Sequence, residues 1–330
     1  MRIVIHGQQA FGKAVLDRLL EAQDEVAAVF CPPDVEGRPI DPLKERALQA
    51  GLPVHQLTSW KTDEAADLLA AQKADLCLMA YVIQIVPSRC LDLPVKGSIQ
   101  YHPSLLPRHR GPSSINWPVI AGETRTGLTI FWPDDGLDTG PILLQKEVRI
   151  GPDDTVGSLY FDHLFPMGVD AMMEAVELVR AGTAPRITQD EANATYEGWC
   201  RAEHAEVDWT QSAGRVHDLI RGTDPQPGAW TTIDGARLNL YGSRRVSANG
   251  GPGEVVEITD TSMTVATGLG GISIARVRPE GSRAKISPQD WAGQGGIAPG
   301  TVLGAVAESR QGASSVGAAQ VAGPRDRPGP

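Results

Sequence analysis

Met1-Arg-Ile-Val-Ile-His6-Gly7-Gln-Gln-Ala-Phe-Gly12-Lys13-Ala14 opens the chain with the pattern of a strand, a turn and a helix. Ile3 to Ile5 is an unbroken apolar run, as expected of a strand buried on both faces. A glycine follows, and apolar residues then return at helical spacing over residues 10–21. Residues 26–30, 76–80 and 97–101 are further short strand-like runs, and residues 42–51 and 63–72 have a helical pattern. Such alternation predicts an α/β fold, a mostly parallel sheet with helices on both faces. Ligands of these sheets collect at the carboxyl ends of the strands, and His102 directly follows the run 97–101.

Residues 126–131 and 142–150 form a predicted hairpin around the turn-rich Pro133-Asp-Asp-Gly-Leu-Asp-Thr-Gly-Pro141, and a helix is expected over 155–181. From about residue 205 the pattern changes to one helix (212–220) and short β-prone runs at 230–233, 237–241, 253–258, 262–267 and 271–277. These predict a small β-barrel-like second domain. The expected division is a catalytic domain at 1–186, a linker at 187–204, a β-rich domain at 205–304 and a disordered Gly/Ala/Ser/Pro-rich tail at 305–330.

With 330 residues, 41% of them hydrophobic, the chain can bury a sizeable core. Cys31, Cys77, Cys90 and Cys200 are widely spaced with no C-x-x-C pair, so no zinc or thioredoxin motif is written and no metal is expected. No signal peptide opens the chain and no apolar run approaches ~18 residues, which predicts a soluble cytoplasmic protein without a membrane partner. A formal charge of -10 disfavours polyanionic partners on average.

Gly7-x-x-x-x-Gly12-Lys13 nearly matches a phosphate-binding loop, but Ala14 stands where the magnesium-ligating hydroxyl belongs. The stretch is read as a glycine-assisted strand-to-helix turn.

Chemistry is concentrated in His102-Pro-Ser-Leu-Leu-Pro107-Arg-His-Arg-Gly111 and Gly136-Leu-Asp138-Thr-Gly140. The first places a histidine at a strand end before a proline, and the second puts a carboxylate in a glycine-hinged turn. With Ile115-Asn-Trp117, Ile130-Phe-Trp132, Asp153-Asp-Thr155 and Ala194-Thr-Tyr-Glu-Gly198, these blocks resemble the folate-dependent formyltransferases over about residues 1–301. The similarity is greatest to the formyltransferase domain of 10-formyltetrahydrofolate dehydrogenase. The chain ends before an aldehyde dehydrogenase domain could follow, so the resemblance implies no NADP chemistry.

That resemblance implies a Rossmann-like first domain, an OB-type second domain, and 10-formyltetrahydrofolate as formyl donor. It implies that an amine attacks the formyl carbon, that His102 stabilises the developing oxyanion, and that Asp138 orients His102 and moves the proton. Gln100 falls where most of the transferases carry a catalytic asparagine, and it keeps an amide on a longer arm. Gln84, Ile85, Val86 and Asp138 fall on the folate-binding positions, and Arg110 is a candidate contact for a substrate carboxylate.

For the acceptor, a small amine such as a hydroxyornithine or an amino sugar ranks first, methionyl-tRNA second and water third. A tRNA clamp needs basic loops, whereas residues 31–46 hold three basic and four acidic side chains. The non-enzymatic alternative is a folate- or nucleic-acid-binding module, which would interleave aromatic and basic residues on a strand face. No such interleaving is legible in residues 205–304.

Calorimetry with ATP and magnesium is expected to show no heat beyond dilution, and micromolar binding would restore the phosphate-loop reading of residues 7–14.

Overall fold

The computed structural model describes residues 1–304; the tail expected to be disordered, 305–330, lies outside the described residues. Strands β1 (Arg2–Gly7), β2 (Glu25–Cys31), β3 (Val54–Gln56), β4 (Leu76–Ala80) and β5 (Ser98–His102) run parallel. Strands β6 (Arg125–Phe131) and β7 (Ile142–Arg149) continue the sheet antiparallel, in the order β3-β2-β1-β4-β5-β6-β7. The direction of winding reverses between β1 and β4, which opens a crevice at their carboxyl ends.

Helices α1 (Gln9–Glu21), α2 (Pro42–Gln49), α3 (Asp63–Ala71), α4 (Ser88–Leu91) and α5 (Asn116–Ile120) precede a long helical run. That run comprises α6 (Val156–Ser158), a π-helical turn (Leu159–Leu164) and α7 (Phe165–Ala181). The π turn ends at Leu164, two residues before Pro166, and proline has no N–H to give back to Asp162, so regular α pairing lapses there. Ile3 and Ile5 pack against α1, α2 and α7, whereas Val4 packs on the opposite face with Trp60, α3 and α4. Full burial of each such side chain stabilises by about 1.5–3 kcal/mol.

The glycines of the first turn have packing roles. A Cβ on Gly7 would overlap the Ala80 carbonyl oxygen, and one on Gly12 would lie 2.9 Å from Leu43 Cδ2. Asp41 occupies the anion position itself: its carboxylate accepts the Gln9 N–H at 2.8 Å and caps α2 through the Leu43 N–H at 2.9 Å. Lys13 is paired with Asp17 at 2.9 Å. A phosphate would meet a carboxylate already in place.

The second unit begins with α8 (Ala213–Gly222), followed by β8 (Ala229–Ile233), β9 (Ala236–Val246), β10 (Val255–Ile258), β11 (Met263–Ala266), β12 (Gly271–Pro279) and α9 (Pro288–Gly293). The strands form an antiparallel sheet ordered β10-β11-β12-β9-β8. β9 runs five residues beyond the expected run, through Gly242-Ser-Arg-Arg245, because β12 pairs with it as far as Val246. Residues 300–304 bridge the free edges. Gly300 N–H donates to the Val255 carbonyl and Leu303 N–H to the Gly253 carbonyl, each at 2.8 Å, and Gly304 N–H donates to the Thr232 carbonyl on β8. This strap makes the sheet barrel-like and places Leu303 in its core.

His6, at the end of β1, is buried against Trp60 with ring centroids 4.6 Å apart. The indole N–H can only donate, so at 3.1 Å it fixes His6 Nε2 as the bare nitrogen. The approach of Gln84 Oε1 at 3.4 Å is then a contact between two acceptors. Burial pushes the His6 pKa from 6.5 down to about 4. Because the folded value lies below the unfolded one, the unfolded chain binds the extra proton between pH 6.5 and 4, and stability falls as pH falls through that window. The loss at its lower end is on the order of 3 kcal/mol. His6→Asn is expected to flatten the difference between urea midpoints at pH 7.5 and 4.5, and an unchanged difference would exclude His6 as its source.

Candidate functional site

Four segments meet beyond the carboxyl ends of β1, β4 and β5: the end of β5, the 103–111 loop, residues 81–87 and the β6–β7 turn. His102 closes β5 and is buried. The His109 carbonyl lies 2.9 Å from His102 Nε2, and because a carbonyl only accepts, Nε2 carries the hydrogen. Nδ1 is therefore the atom that faces Asp138, 3.7 Å from Oδ2. That gap is too long for a hydrogen bond, so His109, rather than Asp138, orients the imidazole.

Asp138 sits at φ 57°, a left-handed conformation that costs a non-glycine residue about 1–3 kcal/mol and marks a held geometry. Its Oδ2 accepts the Gly111 N–H at 2.8 Å, and Oδ1 makes no hydrogen bond among the described residues. Behind the turn, Gln189 Nε2 donates to the Asp138 and Gly140 carbonyls at 2.9 and 2.7 Å. Gln189 Oε1 in turn accepts from Arg110 Nε and Nη2, and Arg110 also reaches both Glu191 oxygens. Arg110, expected to contact substrate, is buried and commits four of its five N–H groups to this network. It braces the Asp138 turn from within.

Gln100 lies two residues before His102 on the same face of β5, half-buried, and its amide makes no hydrogen bond among the described residues. The backbone donors and acceptors of Gln84, Ile85 and Val86 are likewise unpaired among the described residues, so a polar edge stays open there. The Gln84 side chain turns away to the Leu57 carbonyl at 3.0 Å, and Val86 is buried. Tyr81, Ile83, Ile85 and Leu137 are exposed around this edge. Ser88 N–H to Asp135 Oδ1, at 3.2 Å, ties it to the Asp138 turn.

The 103–111 loop is clamped from two sides. Thr129 Oγ1 accepts the Leu106 N–H and donates to the Ser104 carbonyl, and Gln145 holds the Leu106 carbonyl at 2.8 Å. On the other side, the segment expected to be a plain connection pairs with the loop. Thr195 N–H donates to the Pro107 carbonyl, Arg110 N–H to the Thr195 carbonyl and Glu197 N–H to the Arg110 carbonyl, at 3.0–3.2 Å.

The site thus brings His102, Asp138 and Gln100 to one cleft beside residues 84–86. Sequence reasoning missed Gly111, Gln189 and His109 as partners. Gly111 stood in the quoted motif, but no local pattern marks an amide as a carboxylate's donor. Among the described residues no group of His, Cys, Asp and Glu could hold a metal, and no helix is long and apolar enough to cross a membrane.

Residues 1–176 match the formyl transferase family and residues 200–295 its C-terminal domain. The human mitochondrial 10-formyltetrahydrofolate dehydrogenase is 45% identical over 263 residues, covering 78% of this chain; the match spans 28% of that enzyme's length. A methionyl-tRNA formyltransferase of Jannaschia sp. is 40% identical over 308 residues, covering 92% of this chain and 100% of that protein. Among solved structures, an N-formyltransferase from Helicobacter canadensis in complex with folinic acid and dTDP-3-aminofucose superposes with a TM-score of 0.65. It is 17% identical and covers 84% of this chain and all of that one, which shows a shared fold.

Gly111 has φ 109°, and a Cβ there would overlap the Glu197 carbonyl oxygen. Gly111→Ala is expected to lower the thermal midpoint by roughly 4–8 °C and to displace the amide from Asp138. An unshifted melting curve would show that the pairing with the linker is not under this constraint.

Proposed function

This chain belongs to the formyl transferase family, with 10-formyltetrahydrofolate as formyl donor, and on that premise we propose that His102, Asp138 and Gln100 transfer the formyl group to a small amine. The open backbone edge at residues 84–86, between exposed Ile83, Ile85 and Leu137, supports placing the folate ring there. With Nε2–H held by the His109 carbonyl, His102 acts through Nδ1, which, once protonated, donates to the oxygen that becomes negative. The Gln100 amide is free to donate a second hydrogen bond, and each such donor is worth on the order of 3 kcal/mol. Asp138 keeps Oδ1 unpaired while the Gly111 N–H holds Oδ2, so Oδ1 can take the proton from the attacking amine and pass it to N10 as the formyl C–N10 bond breaks, releasing tetrahydrofolate and the formylated amine.

The acceptor assignment rests on one observation. In the acidic loop 31–46, Lys44 is bound to Asp34 and Arg46 to Asp17, so Arg38 is its single basic side chain without a charged partner among the described residues. A loop with one available cation holds tRNA poorly. Residues 205–304 add nine basic and ten acidic side chains, again no basic face by count.

Aromatic and basic residues do meet in the second unit, contrary to expectation. Lys285 lies 3.5 Å from the Tyr241 ring centroid, and Arg237 stacks over Trp230. Tyr241 is buried under that cation, and Arg237 lies over one face of the half-buried Trp230 ring, whose N–H is bound to the Ala202 carbonyl, so the pair does not make an interleaved stacking platform for bases. Full-length similarity to the Jannaschia enzyme favours the second reading, methionyl-tRNA as acceptor.

Tetrahydrofolate release, followed with a panel of amino sugars and hydroxylated amino acids, with methionyl-tRNA and with no acceptor, separates small-amine transfer, tRNA transfer and hydrolysis. Acceleration only by methionyl-tRNA would overturn the small-amine proposal. His102→Ala and Asp138→Ala should each remove more than nine-tenths of the rate without adding, and Gln100→Ala should lower it about tenfold or more, up to about a hundredfold if its amide is a full oxyanion donor. A Gln100→Ala rate equal to the parent's would remove the amide from the mechanism.

A further inference from the structure

The His109 ring is buried, and both of its nitrogens face carboxylates: Nδ1 lies 3.3 Å from Glu197 Oε2 and Nε2 lies 3.2 Å from Glu123 Oε1. Glu123 is also paired with Arg108. A neutral imidazole has one N–H and one lone pair, so it would turn that lone pair onto a carboxylate oxygen. Only a ring with hydrogen on both nitrogens satisfies both contacts.

The consequence lies in the backbone that the ring anchors. The His109 carbonyl accepts the His102 Nε2–H, the Arg110 side chain joins Gln189 behind the Asp138 turn, and the Gly111 N–H holds the Asp138 carboxylate. Three consecutive residues therefore set both members of the candidate catalytic pair. Their own backbone is unsupported by regular secondary structure, and His109 itself is left-handed at φ 55°. The tripeptide is held by the ring between Glu123 and Glu197, by the Thr195 hydroxyl that accepts the His109 N–H at 2.8 Å, by the Ser104 hydroxyl that donates to the Arg108 and His109 carbonyls, and by the linker pairing.

We propose that His109 is a positioning residue, a doubly protonated imidazole locked between Glu123 of the first unit and Glu197 of the linker, which fixes the separation of His102 and Asp138. The proposal rests on the formyl-transfer reading for its kinetic effect and not for its charge state. It gives residues 194–198 a part in the reaction: the linker supplies one jaw of the clamp, so displacement of the linker moves the catalytic pair.

The test uses the full chain labelled with 15N-histidine, the His109 signals being identified by their loss in His109→Gln. Both ring nitrogens of His109 should show the shifts of protonated, hydrogen-bonded nitrogen at pH 7.5, and one bare nitrogen would overturn the proposal whatever the enzyme transfers. In single-turnover formyl transfer, Glu197→Gln and His109→Gln should each slow the rate roughly thirtyfold, with tetrahydrofolate affinity within twofold of the parent's. The double variant should be no slower than His109→Gln alone, since the two groups act as one unit. Additive losses, or losses confined to folate affinity, would overturn the positioning role. Glu197→Gln, a change at a partly exposed side chain, keeps the test usable if His109→Gln fails to fold.

Discussion

The cleft depends on one hydrogen bond, from the Gly111 amide to the Asp138 carboxylate. It joins two segments that approach from different directions, the loop after β5 and the turn between β6 and β7. Neither segment is a regular element, and in isolation each would be mobile on the scale that separates a productive geometry from an idle one. The bond fixes one carboxylate oxygen and leaves the other free. It also requires Gly111 at a φ that side chains rarely adopt, directly against the Glu197 carbonyl, so the amide, the glycine and the linker form one constraint.

From that constraint the support spreads outward through buried polar groups. Gln189 and Arg110 hold the Asp138 turn from behind, and Thr129 and Gln145 hold the loop from the strand side. Arg110 illustrates how a residue type misleads. An arginine in a loop beside a candidate site invites a substrate role, whereas burial demands that its donors find partners inside the protein, and they do so through Gln189 and Glu191. The π-helical turn ahead of Pro166 and the tight approach of α8 to α5, where a Cβ on Gly222 would lie 2.5 Å from Ile120 Cγ1, belong to the frame rather than to the cleft.

The sheet was legible in the sequence because burial on both faces forces a continuous apolar run, and residues 3–5, 26–30 and 76–80 carry it. The positions of His102 and Gln100 at the end of β5 follow from the same period, since alternate residues of a strand share a face. What could not be read were contacts made by backbone atoms and by residues distant in sequence. The segment 187–204 looked like a connection because it lacks periodicity, yet its main chain pairs with residues 107–110. No side-chain pattern encodes such pairing. The closing strap at 300–304 escaped for the same reason, a few backbone hydrogen bonds in a stretch of glycine and proline.

Asp41 has a consequence beyond the turn it caps. In a sheet wound this way, the first strand-to-helix turn is the point of strongest positive potential along the carboxyl edge, and it commonly draws the charged part of a ligand. Here an internal carboxylate neutralises that point from within the fold, and the unpaired main chain of residues 84–86 takes over as the polar feature of the crevice. On the proposed placement of the folate ring, recognition there would rest on matching neutral donors and acceptors along an edge and not on attraction of an anion. Such matching is short-ranged and only weakly screened by salt, so discrimination between ring systems would follow shape and hydrogen-bond order and be insensitive to ionic strength.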